Sequence, residues 1–129
     1  MQRIYLNVLK MAIQIVIKIS FITIHTMNEF VLKKLNKNYC SSLYLFQKQF
    51  KELENNIWEI DELYNLVSRE SCFGKLCLKN ESIVGFCIGN QVFDIFEIYI
   101  IFVHPSHRRN GIAKKILKEV YNLLPKKKS

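Results

Sequence analysis

Phe102-Val103-His104-Pro105-Ser106-His107-Arg108-Arg109-Asn110-Gly111-Ile112-Ala113 follows an apolar run that begins at Phe96 and precedes a segment patterned as a helix to Leu124. A strand, a basic turn and a glycine at a helix start together make a site for a phosphate-bearing ligand. The first N–H groups of a helix have no intrahelical partner, and the helix dipole favours negative charge beside them. Gly111 carries no side chain to keep a ligand off the backbone. Arg108 and Arg109 offer charge-assisted hydrogen bonds of the kind a pyrophosphate attracts.

Working outward, Phe96 to Val103 is almost wholly apolar and predicts a central strand covered on both faces, with Tyr99 in the core. Phe73 to Leu78 and Ile83 to Val92 predict an antiparallel pair joined by Lys79-Asn80-Glu81-Ser82. Gly85 and Gly89 inside the second of these strands predict a bulge or a close backbone approach. Upstream, Phe30 to Leu35 predicts a short strand. Ser41 or Ser42 can cap a helix running to about Phe50, with Leu43, Phe46 and Phe50 on one face. Glu54-Asn55-Asn56 breaks that pattern. Trp58, read as a packing anchor, leads into a second helix from Glu59 to Val67, in which Ile60, Leu63 and Val67 recur at helical spacing. Ile112, Ile116, Leu117, Val120 and Leu124 form the buried stripe of the last helix. The order is β-α-α-β-β-β-α, with no internal repeat.

At 129 residues, half of them hydrophobic, the chain suits one domain with a real core and is not intrinsically disordered. Its formal net charge of +8 is concentrated partly at the ends, in Arg3, Lys10 and Lys18 and in Lys126 to Lys128, so it argues only weakly for nucleic acid. Cys40, Cys72, Cys77 and Cys87 match no common zinc spacing, and His25, His104 and His107 do not complete one. No metal is expected. The thiols read as reduced structural cysteines of a cytoplasmic protein, and the two late histidines as exposed loop residues.

Residues 1–26 form an apolar extension that is not expected to belong to the domain. Ile13, Ile15, Ile17, Ile19 and Phe21 alternate with their neighbours, a strand-like period. Lys10, Gln14 and Lys18 interrupt the stretch, which argues against a membrane anchor, and no small-residue cleavage site follows. Met27-Asn28-Glu29-Phe30-Val31-Leu32 reads as an ordinary start, giving a domain over residues 27–129.

Val103-x-Pro105 followed by Arg108-x-x-Gly111-x-Ala113 resembles motif A of the GNAT superfamily of N-acetyltransferases, and the element order before it matches the same fold. The resemblance covers Met27 to about Leu124. It implies an α/β (α+β) fold: a mixed, largely antiparallel sheet flanked by helices, here lacking the C-terminal strands. It implies acetyl-CoA as co-substrate, with backbone groups of Ile101, Phe102 and Val103 facing the pantetheine arm and the Val103 amide donating to the thioester oxygen. Amides of Arg108, Arg109, Asn110, Gly111, Ile112, Ala113 and Lys114 would cradle the pyrophosphate. Glu97 occupies the place where many members carry a catalytic or water-positioning glutamate.

Asn56-Ile57-Trp58-Glu59-Ile60-Asp61-Glu62-Leu63 resembles the Trp-led second helix of ribosomal-protein alanine N-acetyltransferases. That likeness implies a protein or peptide amine as acceptor, with a ribosomal protein N-terminus a candidate, and neither a nucleic acid nor a membrane as partner. The family continues past the last helix with further strands that in this group hold a glutamate base and a tyrosine acid. The chain reads Pro125-Lys126-Lys127-Lys128-Ser129 there, so a truncated domain of doubtful turnover is expected. The alternatives are a non-catalytic CoA-binding module and a basic nucleic-acid-binding protein.

Overall fold

The apolar runs between Phe30 and Val103 pair into one antiparallel sheet in the computed structural model, which describes residues 8–18 and 29–122. The strands are β1 (Phe30–Lys34), β2 (Cys72–Lys79), β3 (Ser82–Val92) and β4 (Ile95–Val103), in the order β1-β2-β3-β4. Residues 8–18 form helix α1. Between β1 and β2 lie α2 (Cys40–Lys48) and α3 (Ile60–Ser68), and α4 (Ile112–Asn122) follows β4. The β-α-α-β-β-β-α order is therefore as the periodicity predicts, with single 3-10 turns at Lys37–Tyr39, Lys51–Leu53 and Pro105–His107.

Two apolar layers cover the sheet. On one face α2 and α3 bury Leu43, Phe46, Leu63 and Leu66 against Leu76, Phe86, Ile88 and Phe102. On the other, Ile112, Ile116 and Val120 of α4 pack on Phe73, Cys77, Cys87 and Val103. Lys75 and Glu119 pair across that second layer at 3.1 Å. Fully burying side chains of this size contributes roughly 1.5–3 kcal/mol each, and both layers are anchored by β2 and β3, whose burial is nearly continuous.

Several expectations give way. β4 is an edge strand, not a central one: only Phe102 and Val103 are buried along it, and no described strand lies beyond. Its apolar composition is thus not a sign of cover on both faces. The register explains Tyr99. Ile88 pairs with Ile100 and Gly89 with Ile98, so Tyr99 is the extra residue of a β-bulge. It is 46% exposed and its ring stacks on Trp58 with centroids 6.0 Å apart, outside the core. At Gly89 the close approach is real, because a Cβ there would run into the Phe73 ring and the Glu97 carbonyl.

The N-terminal strand period also fails where it is described. Val8, Ala12 and Val16 fill the phase opposite to Ile13, Ile15 and Ile17, so alternation does not separate two faces, and the backbone is helical. The rest of that alternating run, and Leu124, lie outside the described residues. Neither Ser41 nor Ser42 caps α2, whose start grows from the preceding turn, where the Asn36 side chain accepts from Asn38 N–H at 2.9 Å. In α3 the buried pair is Leu63 and Leu66, with Ile60 and Val67 half-buried. Leu117 is 41% exposed, so the α4 stripe is narrower than the pattern suggests. Among the described residues no helix is long and apolar enough to cross a membrane.

Candidate functional site

The strand-to-helix turn is built from two backbone reversals. Arg109 and Gly111 both have positive φ, 70° and 73°, on either side of Asn110. Arg109 carries the strain of that conformation, whereas Gly111 adopts it freely. The first helical hydrogen bond of α4 runs from Lys115 N–H to Gly111 C=O at 3.0 Å, leaving the N–H groups of Ile112, Ala113 and Lys114 ahead of it. A cleft opens there, lined by Ile101, Phe102, Val103, Arg108, Arg109, Gly111, Ile112, Ala113 and Lys114. Nine of the ten residues singled out for a cofactor thus face one concavity, and Asn110 sits in the turn between them without lining it. A Cβ built on Gly111 meets no atom within 4 Å, so the space beside it is open to a ligand.

The free edge of β4 supplies the other wall. His104 N–H donates to Val84 C=O at 2.7 Å, which fixes the alternation of the antiparallel ladder. Phe102 and Ile100 then exchange hydrogen bonds with β3, while Ile101 and Val103 direct their N–H and C=O groups outward. One of these outward groups is already taken: Arg108 Nε donates to Val103 C=O at 3.0 Å.

Arg108 is otherwise committed as well. Its guanidinium lies over the Phe102 ring at 5.3 Å and pairs with the Glu52 carboxylate at 3.1 Å. Glu52, from the turn after α2, lines the same cleft and was invisible to motif reading, being 56 residues distant in sequence. The Arg108 side chain is therefore committed to the protein's own groups, and the other Lys and Arg residues lining the cleft are Arg109 and Lys114.

His107, read as an exposed loop residue, also lines the cleft. Its ring meets Phe30 edge-on at 5.9 Å and lies 5.5 Å from His104, and both histidines are half-buried. Burial, Lys79 and His104 together hold the His107 pKa below the ordinary histidine value. His104 Nδ1 accepts from Ser106 N–H at 3.0 Å, stiffening the turn. Glu97 is elsewhere. It is exposed, opposite Asn90 in the register, and lines neither this cleft nor the one beside Trp58.

A second cleft adjoins along β4, lined by Asn56, Ile57, Trp58, Glu62, Tyr99 and Ile100. Gln47, fully buried on α2, sets its wall. It accepts from Trp58 N–H at 2.8 Å and donates to Trp58 C=O at 3.1 Å. The four cysteines are all free thiols, and burial raises the Cys87 pKa to about 11. No group of three or more potential metal ligands occurs among the described residues.

A model of the acetyltransferase (GNAT) family matches residues 36–128. No curated protein sequence matches the chain. Solved structures share the fold. They include a ribosomal-protein-alanine N-acetyltransferase from Brucella melitensis biovar Abortus 2308, with a TM-score of 0.61 and 15% identity over 74% of this chain and 71% of that one. An aminoglycoside acetyltransferase from an uncultured soil metagenomic sample gives 0.62 and 19%, over 74% and 71%. The PaiA N-acetyltransferase from Thermoplasma acidophilum, in complex with coenzyme A, gives 0.63 and 14%, over 73% and 70%. At such identities the likeness is one of fold. The family model is broader evidence, since it runs from before α2 through the cradle and all of α4, and on it the chain belongs to the GNAT family of acetyltransferases.

Proposed function

We propose that the cleft at the β4–α4 turn holds acetyl-CoA and that the protein acetylates a primary amine, with a protein or peptide N-terminus as the acceptor class. One observation carries this reading: the outward backbone edge of Ile101 and Val103 and the free amides that open α4 border a single concavity. When bound, acetyl-CoA supplies the activated acetyl group as a thioester.

The chain's own groups have distinct tasks. The outward N–H and C=O of Ile101 pair with an amide-bearing arm as a neighbouring strand would. The Val103 N–H points the same way, nearer the start of α4, and is a further donor for a carbonyl oxygen of that arm. The amides of Ile112, Ala113 and Lys114, with the Lys114 ammonium, meet the diphosphate at the positive end of the helix. Glu97 lines neither of these two clefts. An amine acceptor in general draws support from the fold's company, where one structure is named for a ribosomal-protein alanine and another for an aminoglycoside; the protein N-terminus draws support from the first alone. Four free thiols suit a cytoplasmic setting.

Calorimetric titration with CoA tests the cradle. Asp tolerates positive φ better than most residues, so Gly111→Asp keeps the turn and places a carboxylate in the open space. Binding is expected to fall more than about tenfold, roughly 1.4 kcal/mol. Equal affinity in the two proteins overturns the assignment.

A further inference from the structure

The cleft beside Trp58 contains none of the residues assigned to the cofactor, and three features converge on it. The bulge at Tyr99 turns that ring onto Trp58 at an interplanar angle of 30°. Gln47 clamps both backbone polar groups of Trp58 from the buried side, so the indole cannot drift. Glu62, in the first turn of α3, is the sole charged residue among those lining this cleft, while Arg69 lines an adjoining concavity that shares Trp58, Glu62 and Tyr99. Its other neighbour is local: Glu62 Oε1 accepts from Glu59 N–H at 3.3 Å, a long contact that leaves the second carboxylate oxygen available.

A single carboxylate next to a flat apolar wall suits one kind of ligand, a cation whose charge sits on a small head with carbon attached. An ammonium donates up to three hydrogen bonds and gains most from an ionised acceptor. The carbon beside the nitrogen then packs on the aromatic pair. The cleft also adjoins the cofactor side along β4, because Ile100 lines one and the next residue, Ile101, the other.

We propose that Glu62, Trp58 and Tyr99 form the binding site for the protonated amine of the acceptor, with Glu62 as the residue that selects for the ammonium. This rests on the reading of the protein as an amine acetyltransferase, and it shifts the acidic residue of interest from Glu97 on β4 to Glu62 on α3. The bound ammonium gives up one proton to water before its nitrogen attacks the thioester, and a second passes to the CoA thiolate as the C–S bond breaks. The neutral amide that remains has no ammonium to offer Glu62, so the same site releases what has been acetylated.

Trp58 is the chain's single tryptophan, so its fluorescence reports on this cleft and on the adjoining concavity that it also lines. The test titrates alaninamide and n-butylamine, and the N-acetylated form of each, at constant ionic strength. A saturable change with either free amine, absent with its acetylated twin, is the expected result. Glu62→Gln should weaken that response about tenfold. Gln serves as well as Glu at this capping position, so the variant should melt like the wild type. No response to either amine, an equal response to the acetylated compounds, or an unchanged response in Glu62→Gln overturns the site. CoA calorimetry separates this from the cradle: CoA binding without an amine response sinks only the ammonium site, and an amine response without CoA binding sinks only the cradle.

Discussion

The Gln47 carboxamide spans the backbone of Trp58, accepting from its N–H at 2.8 Å and donating to its C=O at 3.1 Å, while the same Nε2 also reaches Leu43 C=O at 3.3 Å. A fully buried glutamine thus completes what no strand or helix supplies to the segment that crosses from α2 to α3. Gln47→Met keeps the volume and strips the partners from buried backbone groups. The expected loss is about 2–4 kcal/mol, read from the urea midpoint, with a red shift of Trp58 emission as water reaches the indole. A change below about 0.5 kcal/mol would show that the crossing is held by packing alone.

Arg108 is expected to act as a brace more than as a charge. Arg108→Lys retains the cation but loses the Nε donor to Val103 C=O and the fork that meets Glu52. CoA affinity should drop about fivefold with the salt dependence unchanged, because the number of cations facing phosphate is the same. Both members of the Glu52 pair are well exposed, so Glu52→Gln should cost less than about 1 kcal/mol of stability.

His107 gives a pH dependence whose sign can be worked out. Its pKa in the fold is lowered by burial, Lys79 and His104, so the unfolded chain binds its proton first as the solution is acidified. The associated stability is complete above the ordinary histidine value of about 6.5 and drains away as pH falls through it toward the lower folded value. His107→Gln should flatten that part of the pH–stability curve, measured by urea unfolding. A diphosphate in the cleft lined by His107 should favour the protonated ring. CoA binding near the same pH should therefore take up a fraction of a proton, visible as a dependence of the calorimetric heat on buffer ionisation.

The β2–β3 hairpin closes through Asn80 and Glu81, with φ of 51° and 66°. Two successive positive φ values mark a turn of the primed type, where Asn-Gly is preferred. Glu81→Gly should stabilise by about 1 kcal/mol, seen as a higher thermal midpoint. A lower midpoint would mean that the glutamate makes a compensating contact.

Much of this molecule was legible from period and punctuation. Phe73 to Leu78 and Ile83 to Val92 fall within a residue of their observed bounds, and the Gly111-led helix starts within one, because each combines an apolar repeat with turn residues. The geometry of the β4–α4 turn could be read for the same reason: it is local, written in one stretch. What was not legible is non-local. Glu52 reaches Arg108 across 56 residues, Gln47 reaches Trp58 across 11, and nothing in either neighbourhood marks a partner. The status of β4 was misread because Ile, Phe and Tyr satisfy a strand equally well at an edge or in the middle, and only the pairing decides.

The extra residue at Tyr99 has a further effect, on parity. Val103 and Glu97 are six positions apart, and in an unbroken strand an even separation puts two side chains on the same side. The bulge inverts that relation, leaving Glu97 level with Asn90 on the α3 side while Val103 faces α4. β4 is in effect two half-strands of opposite phase sharing one chain. Substitutions at positions of the same parity upstream and downstream of Tyr99 act on different layers, and deleting Tyr99 would restore one continuous alternation while each residue before it keeps its β3 partner and its face.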